Sequence, residues 1–581
     1  MRARTIGVVA GLALLACAGD AQAAAPIMPL SEVQAGMKCT GFSVFHGQTI
    51  ETFDVDIVDI VGQAANYNQA PRLLVRVSGD RVKDTGVGPG FSGSPILCPA
   101  SDGTLENAGA ISETVGEYGG FTVLATPIEQ ILATPVDAPT APGERRAALR
   151  RMSPRDRSIL RRARPLSAPI SVGGLNPGLM KGLQAAARKK HITLLAAPSV
   201  PAHASPVLPF EPGSAFAVGL SSGDLSLAAI GTVAYTDAEN VWGFGHSFDG
   251  LGARDLILQD AYVAAIINNP VQVEGYSTYK LSGALHDRGT LTDDGFNAVA
   301  GRTGALPPLI GVTVTSRDDD RGVAGTLHVN IADETDVGNP AGISPLSWVA
   351  PLAISQGPTD ILGAAPQQLA GRMCMQITLR GRPKPVRFCN RYISDGVSSG
   401  ESVGANPVAL SAGLDASVAL SWFDLYKGTG VHITSADATI SETRAQRQAY
   451  LRSVKLPKRV RAGALVPATI VVKVVRGERK TFHFLWPVPR KFKPGKHKVR
   501  LRGSDPDSGY GFFDDIIIDL SGDDSYFDTE GPRSVKQLIK AFKATHHWDG
   551  IRLKSGQRVY RNGKYRIGGR ATATVRVLKR R

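Results

Sequence analysis

The residues of this chain with the clearest chemical use form the turn Gly90-Phe91-Ser92-Gly93-Ser94-Pro95. A serine hydroxyl becomes an effective nucleophile when a neighbouring base removes its proton. Glycines permit backbone angles that other residues resist, so the amides of Gly90 and Ser92 can point into one cavity and hold a developing oxyanion. An ordinary tight turn between strands is the alternative, because Gly, Ser and Pro are the usual turn residues.

The base for such a serine is most often a histidine. His246 follows Gly245 at the end of a predicted strand, and His46 lies in Phe45-His46-Gly47. His286 lies in Leu285-His286-Asp287-Arg288, and His546-His547 comes just after a predicted terminal helix. For each of these positions, a hydrogen-bonded loop or core histidine without a catalytic role is the alternative.

Several phrases in the chain resemble the SpoIVB-type serine peptidases, peptidase family S55, which are distant relatives of the chymotrypsin-like peptidases. Together the matching phrases cover roughly residues 28–335, over half of the chain. They are Leu30-Ser31-Glu32-Val33-Gln34-Ala35-Gly36-Met37-Lys38-Cys39-Thr40-Gly41, Ile50-Glu51-Thr52-Phe53-Asp54-Val55, the serine turn, Gly231-Thr232-Val233-Ala234-Tyr235, Trp242-Gly243-Phe244-Gly245-His246 and Gly283-Ala284-Leu285-His286-Asp287-Arg288.

The resemblance implies a serine endopeptidase that hydrolyses peptide bonds without a cofactor or metal ion. Ser92 would be the nucleophile and His246 the base, with the amides of Gly90 and Ser92 as the oxyanion hole. The substrate would be a protein or peptide. Whether the protein also cleaves its own chain stays open. His286 would either stabilise the fold or contact the substrate.

The chain departs from the SpoIVB type in the order of its blocks, because the serine block here precedes the histidine block. Chemistry does not fix that order, since geometry defines the catalytic constellation. The acidic third member stays open among Asp80, Asp84 and Asp249. The alternative function is therefore a catalytically inactive relative in the envelope that acts as a binding or assembly module.

The N-terminus predicts export. Residues 1–23 combine Arg2 and Arg4 with an apolar run and a small-residue cleavage site, Ala21-Gln22-Ala23, as a secretory signal does. A periplasmic or secreted protein follows. The alternative is a lipoprotein anchored through Cys17, because Leu14-Leu15-Ala16-Cys17 resembles a lipoprotein box.

Four cysteines remain after the signal, and an exported chain can oxidise them. Four cysteines allow three pairings, and proximity in sequence favours Cys39 with Cys98 and Cys374 with Cys389. The second pair would close a hairpin between Met375–Leu379 and Val386–Phe388. A zinc site is the rival, but no Cys-x-x-Cys spacing is present, so disulfides are expected.

The predicted fold class is mainly β. A chymotrypsin-like β-barrel peptidase core in two parts, residues 26–135 and 206–400, is interrupted by a basic linker and helix over 136–205. A basic β-sandwich-like region with a terminal helix follows over 410–581. Short alternating runs bounded by turn residues predict the strands; they are 52–58, 73–77, 120–124, 225–235, 240–244, 309–315, 326–331, 416–422, 468–474 and 498–502.

Two helices are predicted from their caps and apolar faces, one beginning at Asn176-Pro177 and one after Ser534. Arg145–Arg164 is an arginine-rich connector without the interleaved aromatic residues that nucleic-acid binding would require. The net charge of +15 at pH 7 permits contact between the basic C-terminal region and an anionic envelope surface. The acidic stretches at Asp505–Gly509 and Asp519–Asp524 lack calcium-loop spacing.

Overall fold

The protein is mainly β in the computed structural model. The model describes residues 25–61, 71–114, 120–137, 169–190, 192–198, 200, 204–268, 278–363, 368–394, 406–445, 447–503, 531–545, 550–553 and 558–579. The predicted signal, Cys17, the arginine-rich connector, His546-His547 and both acidic stretches lie outside these residues. No helix within the described ranges combines the length and the apolar character needed to cross a membrane.

The first six strands form a closed antiparallel barrel in the order β1-β2-β3-β6-β5-β4. Alternation explains its strands, because Phe53, Val55 and Ile57 face the barrel core while Asp54 between them is exposed. A short helix, α1 (Ile128–Leu132), follows the barrel. The strands are β1 (Lys38–His46), β2 (Thr49–Val61), β3 (Arg72–Ser78), β4 (Pro95–Pro99), β5 (Leu105–Thr114) and β6 (Thr122–Pro127).

A second ring of six antiparallel strands follows in the chain. The pairing runs β9-β10-β11-β14-β13-β12 and returns to β9. Counted from its own first strand, this is the strand order of the first barrel. The strands are β9 (Ala215–Gly223), β10 (Ser226–Asp237), β11 (Asn240–Gly243), β12 (Gly252–Asn268), β13 (Thr278–Asp294) and β14 (Val299–Thr303).

The second ring belongs to a larger, 13-stranded sheet. β7 (Ile170–Gly173) and β8 (Leu194–Ala196) extend it beyond β10, and α2 (Pro177–Lys189) lies between them in the chain. The helix predicted from Asn176 is confirmed, since the Asn176 side chain accepts a hydrogen bond from the Gly178 amide at 2.9 Å. Beyond β9 the sheet continues through β16 (Val323–Ala332), β15 (Leu309–Asp318), β19 (Ile433–Thr443), β17 (Leu369–Leu379) and β18 (Val386–Ser394).

Two apolar helices, α3 (Pro345–Leu362) and α4 (Pro407–Asp424), pack against each other beside this sheet. The prediction of a strand over 416–422 is wrong, because these residues belong to α4. Buried positions in α4 recur every three or four residues, at Ala409, Ala412, Ala416 and Ala419 among others. The start signal was present in the sequence, since Asn406 caps the helix and Pro407 opens it.

The C-terminal region forms two sheets around one apolar cluster, as a β-sandwich does. The helix predicted after Ser534 is confirmed as α5 (Val535–Ala544), with Phe542 buried against Phe388 and Phe423. One sheet contains β23 (Arg479–Pro487), β22 (Leu465–Val474), β20 (Gln448–Lys455) and β27 (Arg566–Gly568). The other contains β21 (Arg459–Val460), β28 (Arg570–Val577), β24 (Gly495–Arg502), β25 (Gly550–Leu553) and β26 (Arg558–Arg561).

Both predicted disulfides are present, Cys39–Cys98 and Cys374–Cys389. The first joins β1 to β4, where the first barrel closes through only two registered pairs. The second joins residues that lie directly opposite each other in the β17–β18 hairpin. Disulfides persist in oxidising compartments, so they indicate an extracellular or periplasmic environment.

Candidate active site

The serine turn and His246 occupy the same position in the two rings. Ser92 lies in the connection between β3 and β4, the third and fourth strands of the first barrel. His246 lies between β11 and β12, the third and fourth strands of the second ring. The two connections lie against each other where the barrels meet.

Backbone hydrogen bonds attach the serine turn to β10 of the second ring and to β5 of its own barrel. The Thr232 amide donates to the Ser92 carbonyl at 2.8 Å, and the Gly93 amide donates to the Ile111 carbonyl at 2.7 Å. A Cβ atom on Gly93, whose φ is +95°, would lie 1.8 Å from the Thr232 oxygen and 2.7 Å from the Phe244 nitrogen. Only glycine permits this close approach of the two barrels.

His246 is positioned by the residues before it. The Thr126 hydroxyl of β6 donates to the Gly245 carbonyl at 2.6 Å. A Cβ atom on Gly245 would lie 3.1 Å from the Ile111 oxygen, the same atom that accepts from Gly93. The residue after Ser92 and the residue before His246 therefore lie beside the same carbonyl group, that of Ile111.

The His246 ring has the protonation state that a general base requires. Its Nδ1 lies 2.7 Å from the Ser247 carbonyl oxygen, which can only accept, so Nδ1 carries the proton and Nε2 of the neutral ring is the acceptor. The side chain is 6% exposed and stacks on Phe244. Burial lowers the pKa of His246, the Ser247 hydrogen bond opposes this, and the nearby Arg72 charge lowers the pKa further. The imidazole is therefore neutral at pH 7.

The two amides expected to form an oxyanion hole have no acceptor within the described part of the chain. The other amides of the turn are occupied, since Phe91 donates to Gly88, Gly93 to Ile111 and Ser94 to Phe91. Gly90 has a φ of +93°, which is the left-handed region that favours glycine. The free donors are thus those of Gly90 and Ser92, which flank Phe91.

Ser92 and His246 are not joined by a hydrogen bond in the described structure, and no described carboxylate hydrogen-bonds to His246. Of the three acidic candidates, Asp80 pairs with Lys83 at the surface and Asp84 is exposed. Asp249 instead bonds the buried Arg254 at 2.5 Å. The Ser247 carbonyl occupies the place on Nδ1 that an orienting acid would take.

Asp294, at the end of β13, organises the loop that follows His246, a role that the sequence did not reveal. Its carboxylate accepts hydrogen bonds from the amides of Phe248, Asp249 and Gly250 at 2.7–2.8 Å. Asp294 is fully buried, so these bonds fix the loop backbone from inside the second ring.

A buried lysine lies behind the serine turn. Lys280 Nζ donates to the Ser43 hydroxyl at 2.7 Å and to the Thr232 hydroxyl at 3.2 Å, and lies 4.5 Å from the centre of the Phe91 ring. The Thr232 hydroxyl in turn donates to the Gly90 carbonyl at 2.9 Å. Burial lowers the pKa of Lys280 to about 7.

The sequence did not reveal Lys280, because the alternation of polar and apolar residues along this part of β13 predicts that its polar side chains face solvent. Along Thr278–Ser282 the polar side chains of Thr278, Lys280 and Ser282 are buried, whereas Tyr279 and Leu281 between them are less buried. A strand with this inverted alternation directs its polar face toward another part of the protein. Here that part is the first barrel.

The remaining predicted histidines lie in other surroundings. His46 is exposed at the end of β1, beside the Tyr262 ring. His286 bonds the buried Asp260 carboxylate through its backbone amide at 2.7 Å and its ring Nδ1 at 3.1 Å. Arg288 contacts the same carboxylate at 3.3 Å, so the segment around His286 forms a charge-paired patch on β12 and β13.

One strand edge beside the serine turn is open in the described structure. β5 runs to Thr114, but β4 begins at Pro95, opposite Ala110. Beyond the two hydrogen bonds made by Ile111 to Gly93 and Ser94, no described strand pairs with this side of β5. Such an edge can pair with an extended peptide.

Comparison of the chain with protein-family models, with curated proteins and with solved structures found no match in any of the three.

Proposed function

We propose that this protein is an exported serine endopeptidase of the SpoIVB type, with Ser92 as nucleophile and His246 as base. The observation that carries the proposal is the pair of amides at Gly90 and Ser92 that have no acceptor among the described residues, in a serine turn that packs against the segment bearing a neutral histidine. The resemblance in sequence designated these four groups independently of the fold. Two antiparallel six-stranded barrels with the site at their junction also fit a chymotrypsin-like peptidase.

The proposed reaction begins when the Ser92 hydroxyl attacks the carbonyl carbon of a peptide bond. His246 Nε2 takes the hydroxyl proton, and the carbonyl oxygen becomes an anion that the amides of Gly90 and Ser92 stabilise. The C–N bond then breaks as His246 returns the proton to the leaving nitrogen. Water, activated by the same histidine, hydrolyses the acyl ester on Ser92 and restores the enzyme.

Catalytic hydrogen bonds are often long in free enzymes and shorten in the substrate complex, so the missing Ser92–His246 hydrogen bond is compatible with catalysis. Binding of an extended peptide along the open edge of β5 would direct the substrate past Ser92. This binding mode favours cleavage within a chain rather than at its ends.

A binding or assembly module without catalysis is the second candidate. It is favoured by the lack, among the described residues, of a carboxylate on His246 Nδ1. The fold alone cannot decide between the two, since one fold can serve different functions.

A fluorophosphonate probe separates the two candidates. We expect the wild-type protein to be labelled at Ser92, as located by peptide mass mapping. Ser92→Ala should lose the label and keep its thermal stability. Ser94→Ala is the matched control, because Ser94 lies in the same turn but is fully buried against Ser43, and it should remain labelled. A folded wild-type protein that takes no label would favour the binding module, and label in Ser92→Ala would assign the nucleophile elsewhere.

A further inference from the structure

Among the described residues of the C-terminal sandwich, the outer face of one sheet carries positive charge and no negative charge. Outward positions on β24 and β28 are occupied only by Lys, Arg and Thr, all of them exposed. The six cations on these two strands are Lys496, Lys498, Arg500, Arg502, Arg570 and Arg576, and we call this surface the basic face.

Like charges lie directly opposite each other on this face. Lys496 is opposite Arg576, and Arg502 is opposite Arg570. Side chains in such positions are about 5 Å apart at Cβ, and like-charged pairs there destabilise a sheet. This arrangement therefore works against folding.

No neighbouring carboxylate relieves this repulsion in the described part of the sandwich. None of the six cations forms a salt bridge there, and Glu478 is the only acidic residue in the described ranges from 447 to 579. Glu478 lies beside β23, in the other sheet. The repulsion would be relieved by an anionic partner from outside the fold.

The spacing of the basic face fits a linear partner. Alternate residues of an antiparallel strand are about 6.8 Å apart, so the four cations of β24 form a row of roughly 20 Å. Thr572 and Thr574 lie opposite Arg500 and Lys498, in the middle of the face. Their hydroxyls can hydrogen-bond a polar chain between its charged groups.

The composition of the basic face argues against two other polyanions. Single-stranded nucleic acid binds through aromatic side chains on which bases stack, and no aromatic residue occupies an outward position on β24 or β28. An anionic lipid surface also attracts exposed Lys and Arg side chains, but a surface that lies on a membrane usually adds apolar side chains that insert among the headgroups, and these positions have none. A polysaccharide with acidic substituents requires neither.

We propose that the basic face binds a linear anionic polysaccharide, with its sulfate, phosphate or carboxylate groups on the Lys and Arg side chains. The hydroxyls of Thr572 and Thr574 bind the parts of the sugar chain that lie between its charged groups. This proposal is independent of catalysis at Ser92. The two disulfides are consistent with it, since they place the protein in a compartment outside the cytoplasm.

The test uses a fluorescent heparin fragment as the probe and full-length protein in the Ser92→Ala background. We expect Lys498→Glu/Arg500→Glu to weaken binding by about 25-fold or more, because each cation beside a polyanion contributes about fivefold to the affinity. The matched control, Arg479→Glu/Lys480→Glu, changes the net charge equally at exposed positions of β23 and should change binding less than about threefold. Unchanged melting temperatures show that both variants are folded.

Several outcomes would overturn the proposal. Equal weakening in both variants would indicate attraction by net charge alone. Tighter binding, through the same residues, of single-stranded DNA or of phosphatidylglycerol vesicles would assign the face to another partner. Residues 504–530 contain nine acidic residues and no basic ones. Heparin binding that occurs only after their deletion would make this segment the ligand.

Discussion

The two six-stranded rings share a strand order but are stabilised in different ways. The first barrel closes on itself around its own apolar cluster, and Cys39–Cys98 joins β1 to β4 across the barrel closure. The second ring contains no cysteine in its described strands, and β9 and β10 also pair with strands outside it. The serine thus comes from a self-contained barrel and the histidine from one embedded in a large sheet.

The junction between the barrels positions both reactive residues. Neither Ser92 nor His246 is positioned by its own barrel alone, because Thr232 of β10 holds the serine turn and Thr126 of β6 holds Gly245. Each barrel supplies one reactive group and one group that positions the other. Variants that act on the junction should therefore affect catalysis more than variants within either core.

Gly93→Ala should have the largest effect of the variants considered. Its Cβ would lie 1.8 Å from the Thr232 oxygen, and only a shift of the β10 and β11 backbone could relieve the clash. We expect a loss of about 4–5 kcal/mol in unfolding free energy, the upper end for a single substitution, measured by denaturant titration, together with loss of probe labelling.

Gly103→Ala is the control for backbone strain at positive φ. Gly103 has a φ of +87° in the β4–β5 hairpin, and a Cβ there would meet no atom within 4 Å. It should lose only about 1–2 kcal/mol. A similar loss in both variants would mean that the barrels do not depend on close contact at Gly93.

Local signals in the sequence predicted many of the strands, two of the helices and both disulfides. Strand alternation, the caps at Asn176 and Ser534, and the sequence proximity of the paired cysteines all led to features that the structure confirms. The helix α4 was missed because its run of small and apolar residues also reads in part as alternation, which outweighed the Asn406-Pro407 start.

The junction could not be read in the same way. Ser43, Thr232 and Lys280 are far apart in sequence, and no local pattern places their side chains together. The identical strand order of the two rings was also hidden, because strand pairing depends on long-range contacts and the two rings show no sequence repeat of fixed period. The roles of Ser92 and His246 remain predictions that the labelling experiment tests.

The disulfides provide the next largest expected effect. The Cys39–Cys98 link closes a sequence separation of 59 residues and Cys374–Cys389 one of 15. Loop-closure entropy then predicts losses of about 4 kcal/mol for Cys39→Ser/Cys98→Ser and about 3 kcal/mol for Cys374→Ser/Cys389→Ser. Melting of the oxidised protein and of each double variant measures both.

The disulfide comparison tests whether the first barrel is a separate folding unit. Because Cys39–Cys98 lies in the serine-bearing barrel, its removal should reduce probe labelling at temperatures where the Cys374–Cys389 variant still labels fully. Parallel loss of labelling in both double variants would mean that the two barrels unfold together.

Lys280→Met should change how stability depends on pH. The pKa of Lys280 falls from its ordinary 10.5 to about 7 in the folded protein, so between these values the unfolded chain holds a proton that the folded chain lacks. Stability therefore rises with pH across this window by at most about 1.4 kcal/mol per pH unit, and this contribution is constant below pH 7.

The measurement is the difference in unfolding free energy between wild type and Lys280→Met at pH 7, 8 and 9. Methionine retains most of the side-chain volume but cannot titrate, so its curve should lack this rise. Lys498→Met, at an exposed position of β24, is the control and should follow the wild type. Equal slopes in all three proteins would mean that Lys280 stays charged in the fold.

The smallest expected effect comes from the positive charge of Arg72 in the first barrel, which acts on His246, the proposed catalytic base in the second ring. Arg72 lies on β3, bonds Gln130 at 2.9 Å and Asn297 at 3.0 Å, and lowers the pKa of His246. Labelling at Ser92 requires neutral His246, so its rate should fall as the pH drops through a midpoint below 6.5. Arg72→Gln should raise that midpoint by a few tenths of a pH unit, because a repelling charge is removed.

Arg72→Lys keeps the charge and should leave the midpoint unchanged, as should Arg76→Gln at an exposed site on the same strand. A midpoint that moves equally in Arg72→Lys would assign the effect to the hydrogen bonds with Gln130 and Asn297, and no acid limb at all would mean that His246 is not the base.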